Sequence, residues 1–166
     1  MNATPRLVFT TGVDPFQLLI NVGTCSIAGH AAIGLGDALL HAHEDGVLIE
    51  PRSVWLGKER QRLVAEFLIL PNVDDGIAFA LSQIGKGYDN PGVIRAAIFR
   101  ILKLTLSPIQ YLGPAPMNRH TCAAFAMLID PYGQRIPEWR GLDRATVVPA
   151  DLLSLASMGP SFQRVA

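Results

Sequence analysis

The chain has 166 residues, 49% of them hydrophobic and 17% charged, with a formal net charge of zero. That size and composition suit one domain with a hydrophobic core. The zero balance leaves no electrostatic footprint for nucleic acid or an anionic lipid surface.

The N-terminal MNATPRLVFTTG has no basic segment followed by a long apolar one, so no signal peptide is expected. The longest apolar runs, such as FQLLI and FLIL, are far too short to cross a bilayer. FQLLINV is apolar and β-capable and is read as a strand. GHAAIGLGDALLHAHEDGVLIEP follows, with short apolar runs broken by Gly-Asp and Asp-Gly, the punctuation of hairpins. In GKERQRLVAEFLIL, Leu63, Val64, Phe67 and Leu68 fit one face of a helix that Pro71 ends. DDGIAFALSQIG predicts a second helix, with Asp74 as cap and Gly85 as stop. NPGVIRAAIFRILKLTL predicts a third, with Asn90 as cap and Pro91 at its first position. After the loop SPIQYLGPAPM, HTCAAFAMLID predicts a helix capped by Asn118 or Thr121. PADLLSLASM predicts a last one with Pro149 in its first turn. The expected class is α+β, a small antiparallel sheet from the N-terminal part packed against helices from the rest.

The hairpin carries three of the four histidines. Gly36-Asp37 suits a two-residue type II′ turn, which wants glycine first. That turn pairs Leu35 with Ala38, sets Ala32 opposite His41, and sets His30 opposite His43. Alternate residues on a strand share a face, so His30, His41 and His43 point one way with Gly34 and Leu39. Ala31, Ile33, Leu35, Leu40 and Ala42 point the other way, toward a core. A three-residue turn would separate His30 from His41; the two-residue turn sorts the apolar residues cleanly. Three uses fit such histidines. They are half-exposed sheet residues, or zinc ligands (His41 and His43 with His30 or Cys25), or a base and its orienter serving a nucleophile.

The chain has two cysteines, Cys25 and Cys122, and no C-x-x-C; free thiols are expected. Cys122 opens a predicted helix, where unpaired N–H groups and the helix dipole lower a thiol pKa and can serve an oxyanion. Its bland alternative is a small buried apolar residue. Cys25 is a weaker alternative nucleophile: it precedes a strand, with no helix behind it.

These segments resemble the NlpC/P60 family of papain-like cysteine hydrolases. GHAAIGLGDALLHAHEDGV is similar to that family's histidine segment, GKGYDNPG to its G-x-P-Y motif, and HTCAAFA to its nucleophile motif. The order here is histidine hairpin, tyrosine, cysteine. That is the order of the circularly permuted, YaeF/YiiX-like branch, which is related to the lecithin:retinol acyltransferase group. VVPADLL resembles that branch's Pro-x-Asp-Leu segment. The likeness spans about residues 16 to 155 and implies a single papain-like domain over 1–166. It implies Cys122 as nucleophile, His30 as general base, His41 as the orienting third residue, and Tyr88 lining the site as an oxyanion donor. No metal or organic cofactor is implied. The chain departs from the pattern in three places. The His30-to-His41 spacing is one residue short, the cysteine's context is Thr121-Cys122-Ala123-Ala124, and no acidic residue follows the cysteine by two.

The resemblance implies hydrolysis of a peptide or amide bond through a thioester, with peptides of bacterial peptidoglycan as the substrate. A chain with no signal peptide and no wall-binding module suits the cytoplasm or a virion, where a phage tail would deliver it beside other tail proteins. The alternatives are a lipid-directed acyltransferase or thioesterase with the same Cys/His site, and a non-enzymatic part of a larger assembly. Tyr111 is a weaker alternative to Tyr88. Trp55 and Trp139 are read as packing or rim residues that could instead line a substrate groove, Arg119 and His120 as solvated loop or substrate contacts, Asp89 as a helix cap or an anchor of the tyrosine loop, and His43 as peripheral.

Overall fold

A computed structural model describes residues 4–13, 15–58, 61–91, 93–94, 119–130, 133–144 and 146–166. Its main feature is a six-stranded antiparallel sheet. In chain order the strands are β1 (Arg6–Thr11), β2 (His30–Leu35), β3 (Ala38–His43), β4 (Gly46–Pro51), β5 (Arg62–Ile69) and β8 (Phe162–Arg164). Their spatial order is β4-β3-β2-β1-β5-β8. A separate two-residue parallel pair joins β6 (Gly87–Tyr88) to β7 (Arg119–His120). The class is therefore α+β as expected, with a larger sheet that also recruits the C-terminal residues.

The hairpin has the expected register: Leu35 pairs with Ala38, Gly34 with Leu39 and Ile33 with Leu40. Gly36 has φ +61° and Asp37 does not join it at positive φ, which fits a type II′ turn. Ala31, Ile33, Leu40 and Ala42 face the larger core with Phe9 and Phe67. Ala32 and Leu39 face a smaller cluster built on Trp55. The sheet is thus covered on both faces. Helix α2 (Arg52–Gly57) brings Trp55 to one side. On the other lie the cysteine helix (Cys122–Ala126), the 3₁₀ turn Met127–Ile129 that continues it, and the C-terminal helix Pro149–Met158. Helix α3 (Asp74–Leu81) crosses that 3₁₀ turn where Gly76 meets the Ile129 carbonyl; a Cβ at Gly76 would overlap it.

Two segments fold differently from their sequence reading. FQLLINV lies in a helix, α1 (Pro15–Thr24), and not in a strand. Pro15 suits a first helical position, and burial recurs at helical spacing: Gln17 and Ile20 are buried while Leu18 and Val22 are exposed. RLVAEFLI is strand β5 and not a helix. Its register against β1 shifts between Phe9 and Thr10, a β-bulge that puts Val64 and Ala65 both against the larger core. The bulge interrupts the period of two, so Leu63-Val64 and Phe67-Leu68 imitate a helical stripe. Long-range pairing with β1 and β8 decides the outcome. Strand β1, bracketed by Pro5 and Gly12, was not singled out from the sequence.

The other helices begin near their expected starts. Asp74 is the first residue of α3 and not its cap, which is Val73. The helix ends at Leu81, four residues before Gly85, whose φ of +88° closes the following turn. Residues 90–91 and 93–94 are helical, and the Asp89 carbonyl accepts from the Val93 N–H, so Asp89 stands at the cap position predicted for Asn90. The rest of that predicted helix, the loop after it, Tyr111 and Asn118 lie outside the described residues. Thr121 caps the cysteine helix, its Oγ1 accepting from the Ala124 N–H at 3.2 Å. Pro149 is the first residue of the C-terminal helix.

Candidate functional site

The three hairpin histidines share one face, as the register requires, and pack on Trp55. The ring centroids of His30, His41 and His43 lie 4.9, 4.6 and 5.1 Å from that of Trp55. Trp55 is fully buried and donates Nε1–H to Thr10 Oγ1 at 3.3 Å. It is the floor of the cluster and not a rim residue; Trp139 is likewise buried, in the larger core.

His30 and His41 are joined directly, Nε2 to Nδ1, at 2.9 Å. The other nitrogen of His41, Nε2, is 3.0 Å from Glu50 Oε1. The same oxygen accepts from Lys58 Nζ at 3.0 Å. These contacts fix the protons. An ionised carboxylate only accepts, so His41 Nε2 carries hydrogen. The neutral His41 Nδ1 is then an acceptor, His30 Nε2 must donate to it, and His30 Nδ1 is left with a bare lone pair. Burial, then the charges of His41, His43 and Lys58, pushes His30 well below the ordinary histidine pKa. Burial likewise brings His41 down to about 4, against the pull of Glu50. Both rings are neutral at pH 7, as the proton assignment requires. With both ring nitrogens of His41 engaged, the zinc alternative loses one of its ligands. Among the described residues no group of three His, Cys, Asp or Glu is arranged to hold a metal.

Glu50 was not identified from sequence, yet the signal was there. Asp45-Gly46 turns β3 into β4, and His43 pairs with Gly46. Continuing that register pairs Leu39 with Glu50, which sets Glu50 on the face of His41, diagonal to it.

The cysteine helix packs on β2 and β3, and Cys122 is buried with 1% exposure. Burial pushes its thiol up. Hydrogen bonds from the Ala31 backbone N–H, the Tyr88 hydroxyl and the N–H groups of Ala123 and Cys122 itself oppose this without reversing it. The expectation that a helix N-terminus depresses this thiol is therefore outweighed: a five-residue helix does not offset full desolvation. Ala31 directly follows His30 and faces the other side of the sheet, so the sulfur sits against β2 on the face opposite the histidines and Trp55. No hydrogen bond joins Cys122 to His30 among the described residues.

Tyr88 reaches the sulfur because β6 pairs with β7, setting Tyr88 beside His120, two residues before Cys122. His120 is not solvated loop, as the sequence reading had it. It is buried, its ring lies 5.9 Å from Phe125, and its pKa falls to about 4 through burial, then Arg144 and Lys86, against Asp89. Arg119 is exposed. Cys25 is exposed with φ +50° just past the end of α1, so a helix does stand behind it, but with its C-terminal end.

Two small pockets flank the site and share Ile20. One, beside Cys122, is lined by Val93, Val147, Val148 and Pro149. The other, beside His30, is lined by His43, Glu44, Tyr88 and Asn90. The turn between α3 and β6 closes the edge of the sheet near them. Gly85 N–H donates to the Val47 carbonyl at 2.8 Å, and Val47 N–H donates to the Lys86 carbonyl at 2.7 Å.

Compared with known proteins, the chain matches no protein-family model, and no curated protein matches it.

Proposed function

We propose that the chain is a cysteine hydrolase of amide bonds, with Cys122 as nucleophile, His30 as general base, His41 as the residue that orients His30, and Glu50 as the anchor of the relay. The observation that carries this reading is the Glu50–His41–His30 chain of hydrogen bonds, which leaves His30 Nδ1 free to accept a proton. A sheet histidine kept only for packing does not need a partly buried, tautomer-fixing carboxylate behind it.

In this mechanism the thiol stays protonated at rest. His30 Nδ1 takes the thiol proton as Sγ attacks the carbonyl carbon. Glu50 and His41 stabilise the imidazolium that forms. The Tyr88 hydroxyl and the Cys122 N–H, already at the sulfur, serve the oxyanion, where one such donor is typically worth roughly 3–4 kcal/mol. The carbon–nitrogen bond breaks, its electron pair leaves with nitrogen, and His30 returns the proton to that nitrogen. Water, deprotonated by His30, then cleaves the thioester and restores the thiol. The histidine–tyrosine–cysteine order supports the finer reading of a circularly permuted papain-like domain. Peptide links of bacterial peptidoglycan are its first substrates to try, and tail-borne delivery by a phage is its proposed setting.

A second reading, a scaffold without activity, is favoured by the 1% exposure of Cys122, by its place across the sheet from the histidine cluster, and by the absence, among the described residues, of a hydrogen bond to His30. One experiment separates the two. A Cys25→Ser protein is incubated with muropeptides and, separately, with p-nitrophenyl butyrate. Samples are quenched in acid, and the Cys122 peptide is read by mass spectrometry. A thioester on Cys122 that disappears in His30→Ala, together with cleaved muropeptides, supports the hydrolase. No acylation and no cleavage supports the scaffold.

A further inference from the structure

The pocket beside His30 contains polar atoms that the proton relay does not use. Among the described residues, His43 Nδ1 and Asn90 Oδ1 are buried atoms with no hydrogen-bond partner. Both residues line this pocket together with His30 and Tyr88. A buried polar atom left unpaired is destabilising, so two in one small pocket mark a place for a group that bonds them. Both can accept: Asn90 Oδ1 is an amide oxygen, and a neutral imidazole has one bare nitrogen. The pocket's charged side chain is that of Glu44, which repels an anion and suits a donor.

Position assigns the group. In the proposed reaction the atom that leaves receives its proton from His30, so the leaving group lies on the His30 side of the carbonyl. The acyl side is then the pocket beside Cys122, whose lining is aliphatic apart from Thr121 and the cysteine. From this geometry we infer that His43 and Asn90 are specificity residues that accept hydrogen bonds from an N–H-bearing leaving group, and that they select amides over esters of the same acyl group. The inference rests on the hydrolase reading above. Its physical basis is an asymmetry of hydrogen-bonding sites: a site built to accept from a substrate N–H rejects the analogue that lacks it far more strongly than an apolar pocket rejects a misfit.

The test uses butyryl p-nitroanilide and p-nitrophenyl butyrate, which share an acyl group sized for the aliphatic pocket and differ in the leaving atom. The ratio of their kcat/KM values is measured for the full chain, Asn90→Leu, His43→Phe and Asn90→Asp. The anilide-to-ester ratio should fall about tenfold or more in Asn90→Leu and in His43→Phe. Asn90→Asp, which keeps an acceptor oxygen, should restore most of it, an outcome that a folding defect would not give. A ratio unchanged in both apolar variants overturns this inference and leaves the hydrolase reading standing. No Cys122-dependent turnover of either compound overturns both.

Discussion

Replacing Glu50 by glutamine removes one charge and almost no volume, and its effect can be worked from the relay. The hydrogen bonds of 2.9 and 3.0 Å and the width of one imidazole put the carboxylate about 8 Å from the ring of His30. At an effective dielectric of about 20, a unit charge at that distance stabilises a histidine cation by about 2 kcal/mol. That is about thirtyfold in the rate of the proton-transfer step. The tautomer should survive, because His41 and Lys58 both donate to Oε1, and Lys58 holds an amide oxygen where the carboxylate oxygen was. Adding Lys58→Met removes that hold. The amide can then turn its NH₂ toward His41, and each proton in the relay shifts by one position. His30 Nδ1 becomes protonated and is no longer a base, a fault that costs about 10⁴ in a serine-protease triad. The assay is the rate of Cys122 acylation by p-nitrophenyl butyrate, with circular dichroism melts to confirm folding. Glu50→Gln should be about thirtyfold slower and the double variant much slower than that. Wild-type rates in Glu50→Gln, with a native melt, would refute the relay.

With iodoacetamide at pH 7, Cys25 should be modified well before Cys122, because Cys25 is exposed while Cys122 is buried with its thiol raised; peptide-resolved mass spectrometry reads both, and faster labelling of Cys122 would contradict the resting thiol. Stability should fall as pH drops from 6.5 toward 4. His41 binds a proton near pH 6.5 when unfolded and near 4 when folded, so its contribution is full above 6.5 and is lost below it, up to about 3 kcal/mol. Urea midpoints between pH 7.5 and 4.5 test this, and a flat series would contradict it. Gly76→Ala should destabilise by about 1–3 kcal/mol, since the added methyl overlaps the Ile129 carbonyl; a urea midpoint equal to the parent's would show that α3 shifts at no cost.

The site was legible where chemistry follows from short-range rules. Gly36-Asp37 fixed a turn, the turn fixed a register, and the register put His30 and His41 on one face. Thr121 as a cap, and Pro149 at a first helical position, are equally local. What was hidden depends on distant partners. Arg62–Ile69 becomes a strand because β1 and β8 lie beside it, and its bulge disguises the alternation. Phe16–Val22 has the composition of either element, and the burial of Gln17 and Ile20, three residues apart, goes with the helix that Pro15 opens. The rise of the Cys122 thiol was also out of reach, since desolvation is set by everything packed around a group. Glu50 needed one more step of register counting, across a second turn already marked by Asp45-Gly46.

The turn at residues 82–86 has a mechanical consequence. Through Gly85 and Lys86 it is bonded to both sides of Val47, three residues before the acid of the relay. One residue further on it starts the strand that carries Tyr88 to the sulfur. The two ends of the site therefore hang from a single lever. A partner or crowding molecule that tilts this turn would move Glu50 and Tyr88 together, loosening the proposed relay and the proposed oxyanion donor in one displacement without touching Cys122 or His30.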